Sequence, residues 1–312
     1  MKKKKGQKTA VAIVTGGAGF LGSTLVPMLM AEGYEVHVID NLVSGKRAHV
    51  PKGAKLHVVD IRDASKLEKI FRSIGSVHCV FHLAALPRVQ FSIDHLKEAH
   101  SVNVEGLLNV FEAARKFKAR RIVYSASSSA YGDQTVMPLR ESMAPNPKSP
   151  YASQKLFGEL MAKQYSLHYG VETVSLRYFN IFGPNFDPNG PYAMAIGKFL
   201  TARNNDEPLT VTGDGEQTRD CVYATDVARA NILAMESRKV GKGEVVNVGS
   251  GKNYSINEIA RLIGGKIKHI PARIEPRDTR ADIRLAKRLL GWRPRVSLRE
   301  GIAALKKELG IK

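Results

Sequence analysis

The first 180 residues alternate short β-rich runs with stretches of helical periodicity, and this alternation constrains the fold more than any other feature. Parallel strands that are joined by crossover helices produce this pattern. We predict strands at 10–14, 35–40, 55–60, 78–83, 120–125 and 172–178, with helices that include 20–31, 103–117 and 151–169. The predicted fold class is α/β, with a doubly wound parallel sheet.

The alternation ends after Tyr178. The segment 183–190 is rich in Gly, Pro, Asn and Asp, which predicts a loop, and the run 244–248 predicts a strand that returns to the sheet. We therefore expect a disordered Lys-rich tail at 1–8, a sheet domain at 9–180 with a returning segment near 224–250, and a smaller mixed α/β lobe at 181–312. A substrate would bind in the cleft between the two parts.

The chain carries a net charge of +19, which suggests either a nucleic-acid partner or a polyanionic small substrate. Apart from the first eight positions the basic residues are spread along the sequence, so we predict no nucleic-acid partner. No apolar run approaches the roughly 20 residues that span a bilayer. Cys79 and Cys221 match no metal or redox spacing, and we predict a cytoplasmic protein without a metal or membrane partner.

A glycine-rich run, Gly16 to Gly22, follows the first predicted strand and precedes the first predicted helix. In this context the glycines let the backbone turn tightly beside a pyrophosphate, which the helix N-terminus stabilises. Asp40 ends the second strand, where a carboxylate can bind the adenosine ribose and repel a 2′-phosphate. Asp60 and Ile61 close the third strand, near the expected adenine. These residues predict NAD as the cofactor.

Tyr151 and Lys155 lie four residues apart at the start of a predicted helix, so both face the same side. A free tyrosine, with a pKa near 10, is a poor base at neutral pH. We expect the Lys155 ammonium and a positive nicotinamide ring to lower that pKa. Ser127 follows the fifth strand, and its hydroxyl can bond the same substrate oxygen. The three residues predict a redox catalytic centre.

With these motifs the sequence resembles the extended short-chain dehydrogenase/reductases, and among them the UDP-hexose 4-epimerases, over nearly the whole chain after the tail. The fold implied is a Rossmann domain with a smaller substrate-binding lobe. The motifs that carry the resemblance are Thr15–Gly22, Asp40–Leu42, His82–Ala85, Asn103, Ser127, Tyr151 with Lys155, Arg177–Asn180, Gly213–Asp220, and Ala281–Asp282 with Leu290–Trp292.

The resemblance implies contacts for a larger set of residues and a homodimer that pairs the helices at 103–116 and 151–169. The NAD contacts implied are Gly16, Gly19, Phe20, Leu21, Gly22, Asp40, Asn41, Ser44, Gly45, Asp60, Ile61, Leu83, Ala84, Ala85, Asn103, Ser125, Tyr151, Lys155 and Tyr178. The UDP-sugar contacts implied are Arg88, Ser127, Ser128, Asn180, Tyr192, Leu209, Thr210, Val211, Arg219, Arg277 and Thr279.

The implied reaction is NAD-dependent 4-epimerisation of a UDP-hexose through a transient 4-keto sugar. Related dehydratases and decarboxylases carry acidic residues just after the catalytic hydroxyl residue, and related epimerase-reductases a cysteine, whereas Ser128 and Ser129 stand here. A bulky Tyr at the position of Thr279 restricts similar enzymes to glucose and galactose, so we expect UDP-GlcNAc and UDP-GalNAc to be accepted. Two alternatives stay open: a UDP-glucuronate 4-epimerase, in which Arg88 binds the carboxylate, and a catalytically silent NAD-binding protein.

Overall fold

A seven-stranded, fully parallel sheet forms the centre of the computed structural model, which describes residues 10–186, 194–272 and 277–311. Its strands are β1 Val11–Thr15, β2 Glu35–Asp40, β3 Lys55–Val58, β4 Cys79–His82, β5 Arg121–Ser127, β6 Glu172–Tyr178 and β11 Lys242–Val248. They lie in the order β11-β6-β5-β4-β1-β2-β3. The predicted doubly wound sheet is confirmed, and the strand predicted at 244–248 joins its β6 edge.

Three two-stranded ladders lie outside this sheet. They pair β7 Asn180–Phe182 with β10 Cys221–Tyr223, β8 Leu209–Thr212 with β13 Ile267–Ile270, and β9 Thr218–Arg219 with β12 Tyr254–Ser255. The α-helices are α1 Gly22–Ala31, α2 Ala64–Ile74, α3 Val89–Asp94, α4 Leu96–His100, α5 Leu107–Lys116, α6 Pro150–Tyr169, α7 Ala195–Asn204, α8 Ala224–Glu236, α9 Ile256–Ile263, α10 Arg284–Leu290 and α11 Leu298–Glu308.

Two helices begin later than the periodicity predicts. Helix α1 begins at Gly22 because the chain before it forms a tight turn, in which the Gly19 amide donates to the Gly16 carbonyl. A π-helical turn, Ser101–Gly106, occupies the start of the predicted helix 103–117, so α5 begins at Leu107. Neither turn breaks the apolar periodicity, which explains why the sequence pattern does not separate it from the helix.

The central sheet is buried on both faces because its side chains alternate between two cores. From β1, Ala12 and Val14 pack with α1, α8 and α10, whereas Ile13 packs on the opposite face with α2 and α5. A third core holds α7, α9 and α11 together. Trp292, fully buried, packs in the first core although it follows α10 late in the chain. The chain therefore returns to the sheet domain twice, at 224–248 and at 284–292.

None of the helices in the described ranges is long and apolar enough to cross a membrane. The predicted Lys-rich tail and the second half of the predicted loop at 183–190 lie outside the described residues.

Candidate active site

The glycine-rich turn is shaped by close backbone approaches. Gly16 has φ 70°, and a Cβ there would lie 2.7 Å from the Ala84 amide nitrogen. At Gly22 a Cβ would lie 2.5 Å from the backbone of Gly17. At Gly19, by contrast, a Cβ would meet only the Gly16 carbonyl oxygen within 4 Å, at 3.2 Å. The turn therefore has one open side at Gly19, and this opening fits a pyrophosphate at the start of α1.

The Asp40 carboxylate lies beneath the loop that follows β2. It accepts hydrogen bonds from the amides of Ala18, at 3.0 Å, and Leu42, at 2.8 Å. Burial raises the pKa of Asp40, and these two amide bonds oppose the rise. Gly45 packs directly on the carboxylate, while Ser44 beside it is exposed. Each carboxylate oxygen retains a second acceptor position, so Asp40 is compatible with the predicted ribose contact.

The Asp60 carboxylate already accepts more hydrogen bonds from the protein than the sequence suggests. Arg62 donates to both of its carboxylate oxygens, at 2.9 and 2.7 Å, and Asn41 donates at 3.0 Å. The Arg62 bond holds the pKa of Asp60 well below its usual range. The Ile61 side chain is buried in the core against Gly106, and its contact with adenine stays a prediction. Contact of Asp60 with adenine stays a prediction.

The loop after β4 closes the other side of the glycine turn. Within it, Leu83 is buried, and Ala84 and Ala85 are half-buried. The Asn103 side chain binds both the amide and the carbonyl of Leu86, and it donates to the Gln154 side chain at 2.7 Å. Asn103 therefore joins this loop to α6. Its observed role is to position the loop, and a direct contact with NAD stays a prediction.

Three hydroxyl groups meet where β5 ends and α6 begins. Ser149 caps α6 and Pro150 occupies its first turn, which places Tyr151 at the mouth of the helix. The Ser127 hydroxyl lies beside the Tyr151 phenol, where it lowers the pKa of the phenol, and it accepts from the Ser129 hydroxyl at 2.9 Å. The amide of Tyr151 donates to Ser92 at 3.0 Å. The structure thus brings Ser127 and Tyr151 together, and the sequence reasoning missed Ser92.

Lys155 lies one turn further along α6, and its ammonium donates to the Ser125 carbonyl at 2.8 Å. Burial lowers the pKa of Lys155 to about 7 and raises the pKa of Tyr151 to about 12. The expected lowering of the Tyr151 pKa by Lys155 is therefore wrong for the chain alone. Burial dominates the pKa of Tyr151, and the neighbouring Ser127 hydroxyl opposes it only in part.

A buried ionic network supports this centre from behind. Glu159, one turn after Lys155, forms a two-bond pair with Arg177 at 2.8 and 2.7 Å. The Arg177 guanidinium also lies 4.4 Å from the centre of the Tyr131 ring, and Tyr131 donates to Asn247. The Glu159 charge favours the Lys155 ammonium against burial. Sequence reasoning missed this function of Glu159, although its spacing of four from Lys155 is the signal that points to it.

Tyr178 ends β6, and its hydroxyl donates to the Asn231 side chain at 2.9 Å. Burial raises its pKa well above the usual value. The side chain is therefore fixed between the sheet and α8. Because its hydroxyl is already bonded, the predicted contact with NAD would have to use the ring.

A cavity of about 270 Å³ lies between the glycine turn and the C-terminal lobe. Phe20 lines it on one side, and the predicted residues Asn180, Thr210 and Arg219 line it on the other. This position fits a ligand that extends from the NAD site into the lobe.

Leu209 and Val211 belong to the core of the C-terminal lobe. Both side chains are fully buried in the lobe core, because β8 alternates and turns only Thr210 and Thr212 towards the cavity. Contact of Leu209 and Val211 with a UDP-sugar stays a prediction, and the buried side chains leave their backbone atoms for it.

The predicted diphosphate ligands differ in their surroundings. Arg219 donates to the carbonyl of Thr218 at 2.8 Å, and the Asp220 carboxylate binds other partners, so the two residues do not form a surface ion pair. Arg277 is exposed and paired with Asp214 through bonds of 3.1 Å. Contact of Arg277 with a diphosphate stays a prediction.

The remaining predicted substrate residues lie apart from one another. Thr279 is half-buried beside Asp220, whose amide donates to the Thr279 hydroxyl at 3.2 Å. Arg88 is exposed immediately before α3, and Ser128 is half-buried in the turn after β5. Tyr192 lies outside the described residues.

Comparison with known proteins agrees with this geometry. The sequence profile described as "NAD dependent epimerase/dehydratase family" matches residues 12–249. A "Putative UDP-glucose 4-epimerase" of Methanocaldococcus jannaschii is 38% identical over 298 residues, which cover 93% of this chain and 95% of that protein.

Two solved structures are similar over almost their whole length. The UDP-glucose 4-epimerase of Thermus thermophilus in complex with NAD has a TM-score of 0.90 at 33% identity, covering 96% of this chain and 99% of that one. The UDP-N-acetylglucosamine 4-epimerase of Methanobrevibacter ruminantium, in complex with UDP-N-acetylmuramic acid, has a TM-score of 0.88 at 36% identity, covering 97% and 100%. The resemblance predicted from the sequence is confirmed, and this chain belongs to the NAD-dependent epimerase/dehydratase family.

Proposed function

We propose that the chain is a 4-epimerase of UDP-hexoses that uses NAD and passes through a transient 4-keto sugar. The observation that carries the proposal is that Ser127 lies beside the buried Tyr151 phenol, with the Lys155 ammonium 5.9 Å from the centre of the Tyr151 ring. This group of side chains lies where the sheet ends, on the same side as the glycine turn. The relatives named above share the activity by their names.

Each residue has a defined task in the proposed reaction. Tyr151 takes the proton from the sugar 4-hydroxyl, and Ser127 holds the same oxygen through a hydrogen bond. NAD, when bound, accepts hydride from C4 and returns it to the opposite face after the keto sugar has rotated. Before hydride transfer a bound, oxidised nicotinamide ring would be positive, and that charge would favour the Tyr151 phenolate, which the chain alone does not. Lys155, when protonated, adds a second positive charge 5.9 Å from the centre of the Tyr151 ring.

The residues after Ser127 disfavour dehydration and decarboxylation. Ser129 donates to Ser127 and Ser128 lies beside it, so the turn after β5 carries two hydroxyls and no carboxylate. A hydroxyl does not supply the acid and base needed to expel water from the sugar ring. Oxidation and re-reduction at C4 are the chemistry that these side chains support.

We propose that the sugars accepted include UDP-GlcNAc and UDP-GalNAc, with UDP-Glc and UDP-Gal as further substrates. The small side chain of Thr279, held beside Arg219 and Asp220, supports space for an N-acetyl group. The exposed Arg88 keeps a uronic acid as the second candidate, since its guanidinium suits a carboxylate.

A panel of UDP-sugars, followed by NMR, tests the proposal. We expect interconversion of at least one C4-epimeric pair, and NAD that remains bound after purification. Tyr151→Phe should abolish turnover, whereas Tyr165→Phe, a matched change on the same helix whose hydroxyl binds Glu112, should keep it. Unchanged substrate across the whole panel would instead favour a catalytically silent NAD-binding protein.

We also propose a homodimer formed through α5 and α6, in the cytoplasm. Leu160, Leu167 and Tyr169 are 53%, 70% and 55% exposed on α6, which is unusual for one helix and favours a partner surface. Both cysteines are free and buried, as is common in a reducing compartment. Leu160→Glu should yield a monomer in sedimentation, and an unchanged dimer would place the interface elsewhere.

A further inference from the structure

Asp220 is fully buried, yet its backbone contacts or adjoins three predicted substrate residues. Its carbonyl accepts from both the amide and the side chain of Asn180, each at 3.1 Å. Its amide donates to the Thr279 hydroxyl at 3.2 Å. Arg219, the last residue of β9, directly precedes it. One backbone unit therefore sets the relative positions of Asn180, Arg219 and Thr279.

The Asp220 side chain fixes that backbone unit to two other segments. One carboxylate oxygen accepts from the Ser250 amide at 2.6 Å and from its hydroxyl at 2.7 Å. The other accepts from the amides of Gly251, at 3.0 Å, and Ala281, at 2.9 Å. Four donors around one buried carboxylate form a rigid joint, because each bond satisfies a group that would be costly to leave unpaired.

We propose that Asp220 is a positioning residue for the substrate diphosphate: its four-donor joint holds Asn180, Arg219 and Thr279 as one preformed cluster. The inference rests on the proposed function, since it assumes that this cluster binds a UDP-sugar. Asp220 itself does not contact substrate, because its side chain is enclosed by Ser250, Gly251 and Ala281. Binding energy is gained when the ligand finds these groups already ordered.

The structure offers a matched control. Asp226 is also a buried aspartate of this part of the chain, and its carboxylate accepts from the amides of Arg295 and Val296 at 2.8 and 2.9 Å. The carboxylate also accepts from Arg229, and the Asp226 backbone carbonyl accepts from the Trp292 indole; neither residue belongs to the predicted cluster. Asp226→Asn therefore disrupts hydrogen bonds to a buried carboxylate, as Asp220→Asn does, without moving the predicted diphosphate ligands.

The experiment measures the dissociation constant of UDP alone, by calorimetry, for the NAD-loaded protein. In Asp220→Asn the carboxamide turns an N–H group towards two of the four donors, so the joint must open. We expect UDP to bind about tenfold more weakly or worse, and KM for the active sugar to rise with it, while kcat stays within about threefold. NAD retention should not change, because the joint does not touch the glycine turn.

Asp226→Asn should lower the unfolding temperature but leave UDP binding within about twofold of the original chain. If Asp220→Asn does not fold, Ser250→Ala removes one donor and should weaken UDP binding by about threefold. Unchanged UDP affinity in Asp220→Asn or in Ser250→Ala would overturn the inference, as would equal losses in the Asp226 control. Failure of the original chain to bind UDP would overturn the proposed function along with it.

Discussion

Replacing either Glu159 or Arg177 alone should destabilise the protein far more than replacing both members of this buried pair together. The side chains are 3% and 4% exposed, so neither charge is solvated by water. In Glu159→Leu the Arg177 guanidinium loses both of its carboxylate bonds and stays buried as an uncompensated cation. Breaking a buried pair in this way costs about 3–5 kcal/mol.

The reciprocal change leaves a buried carboxyl. In Arg177→Met, Glu159 can escape part of the cost by taking up a proton, since burial already raises its pKa. The Tyr131 ring also loses its cation, which costs about 0.5–2 kcal/mol. The double variant Glu159→Leu/Arg177→Met replaces two ions with apolar side chains of similar volume, and we expect it within about 2 kcal/mol of the original chain.

Urea unfolding at pH 8 measures all four proteins, and the fluorescence of Trp292, the single tryptophan, reports the transition. The coupling energy of the double-mutant cycle should be about 3 kcal/mol or more. The argument that each charge of this pair compensates the other would be refuted by either of two results. The losses in free energy of unfolding of the two single variants could add up in the double variant, or each single variant could lose less than about 1 kcal/mol.

Three further predictions concern the site itself. Gly19→Val should fold but lose bound NAD, which is measured by absorbance after denaturation. Gly22→Val should fail to fold, because its side chain meets the Gly17 backbone. NAD retained in the Gly19 variant would contradict the argument that the turn is open at Gly19. The pKa of Lys155 is lowered to about 7 from 10.5, so the unfolded chain binds more protons between these values and stability should rise with pH across this window. Lys155→Met should lack that rise in urea titrations, and parallel profiles would contradict it. Thr279→Tyr should suppress turnover of the N-acetylated pair selectively, and equal loss on both sugar pairs would exclude Thr279 as the selectivity wall.

Much of the site was predictable because its signals are local. The glycine turn and Asp40 occupy fixed places relative to the first two strands, so the strand pattern alone positions them. Tyr151 and Lys155 share a face of one helix through their spacing. For the same reason alternation along β8 could have indicated that Leu209 and Val211 face the core, since strand side chains point to opposite sides.

The sequence by itself determined the parallel sheet, the glycine turn and the choice of the proposed catalytic groups, because these depend on periodicity and short spacing. Only the tertiary structure decided how they are charged and supported. Burial sets the pKa values of Tyr151 and Lys155, and burial is a sum over neighbours from distant parts of the chain. The joint at Asp220 likewise unites residues up to 61 positions apart. Such contacts exist only after folding, because no local pattern specifies which distant backbone amides will surround one carboxylate.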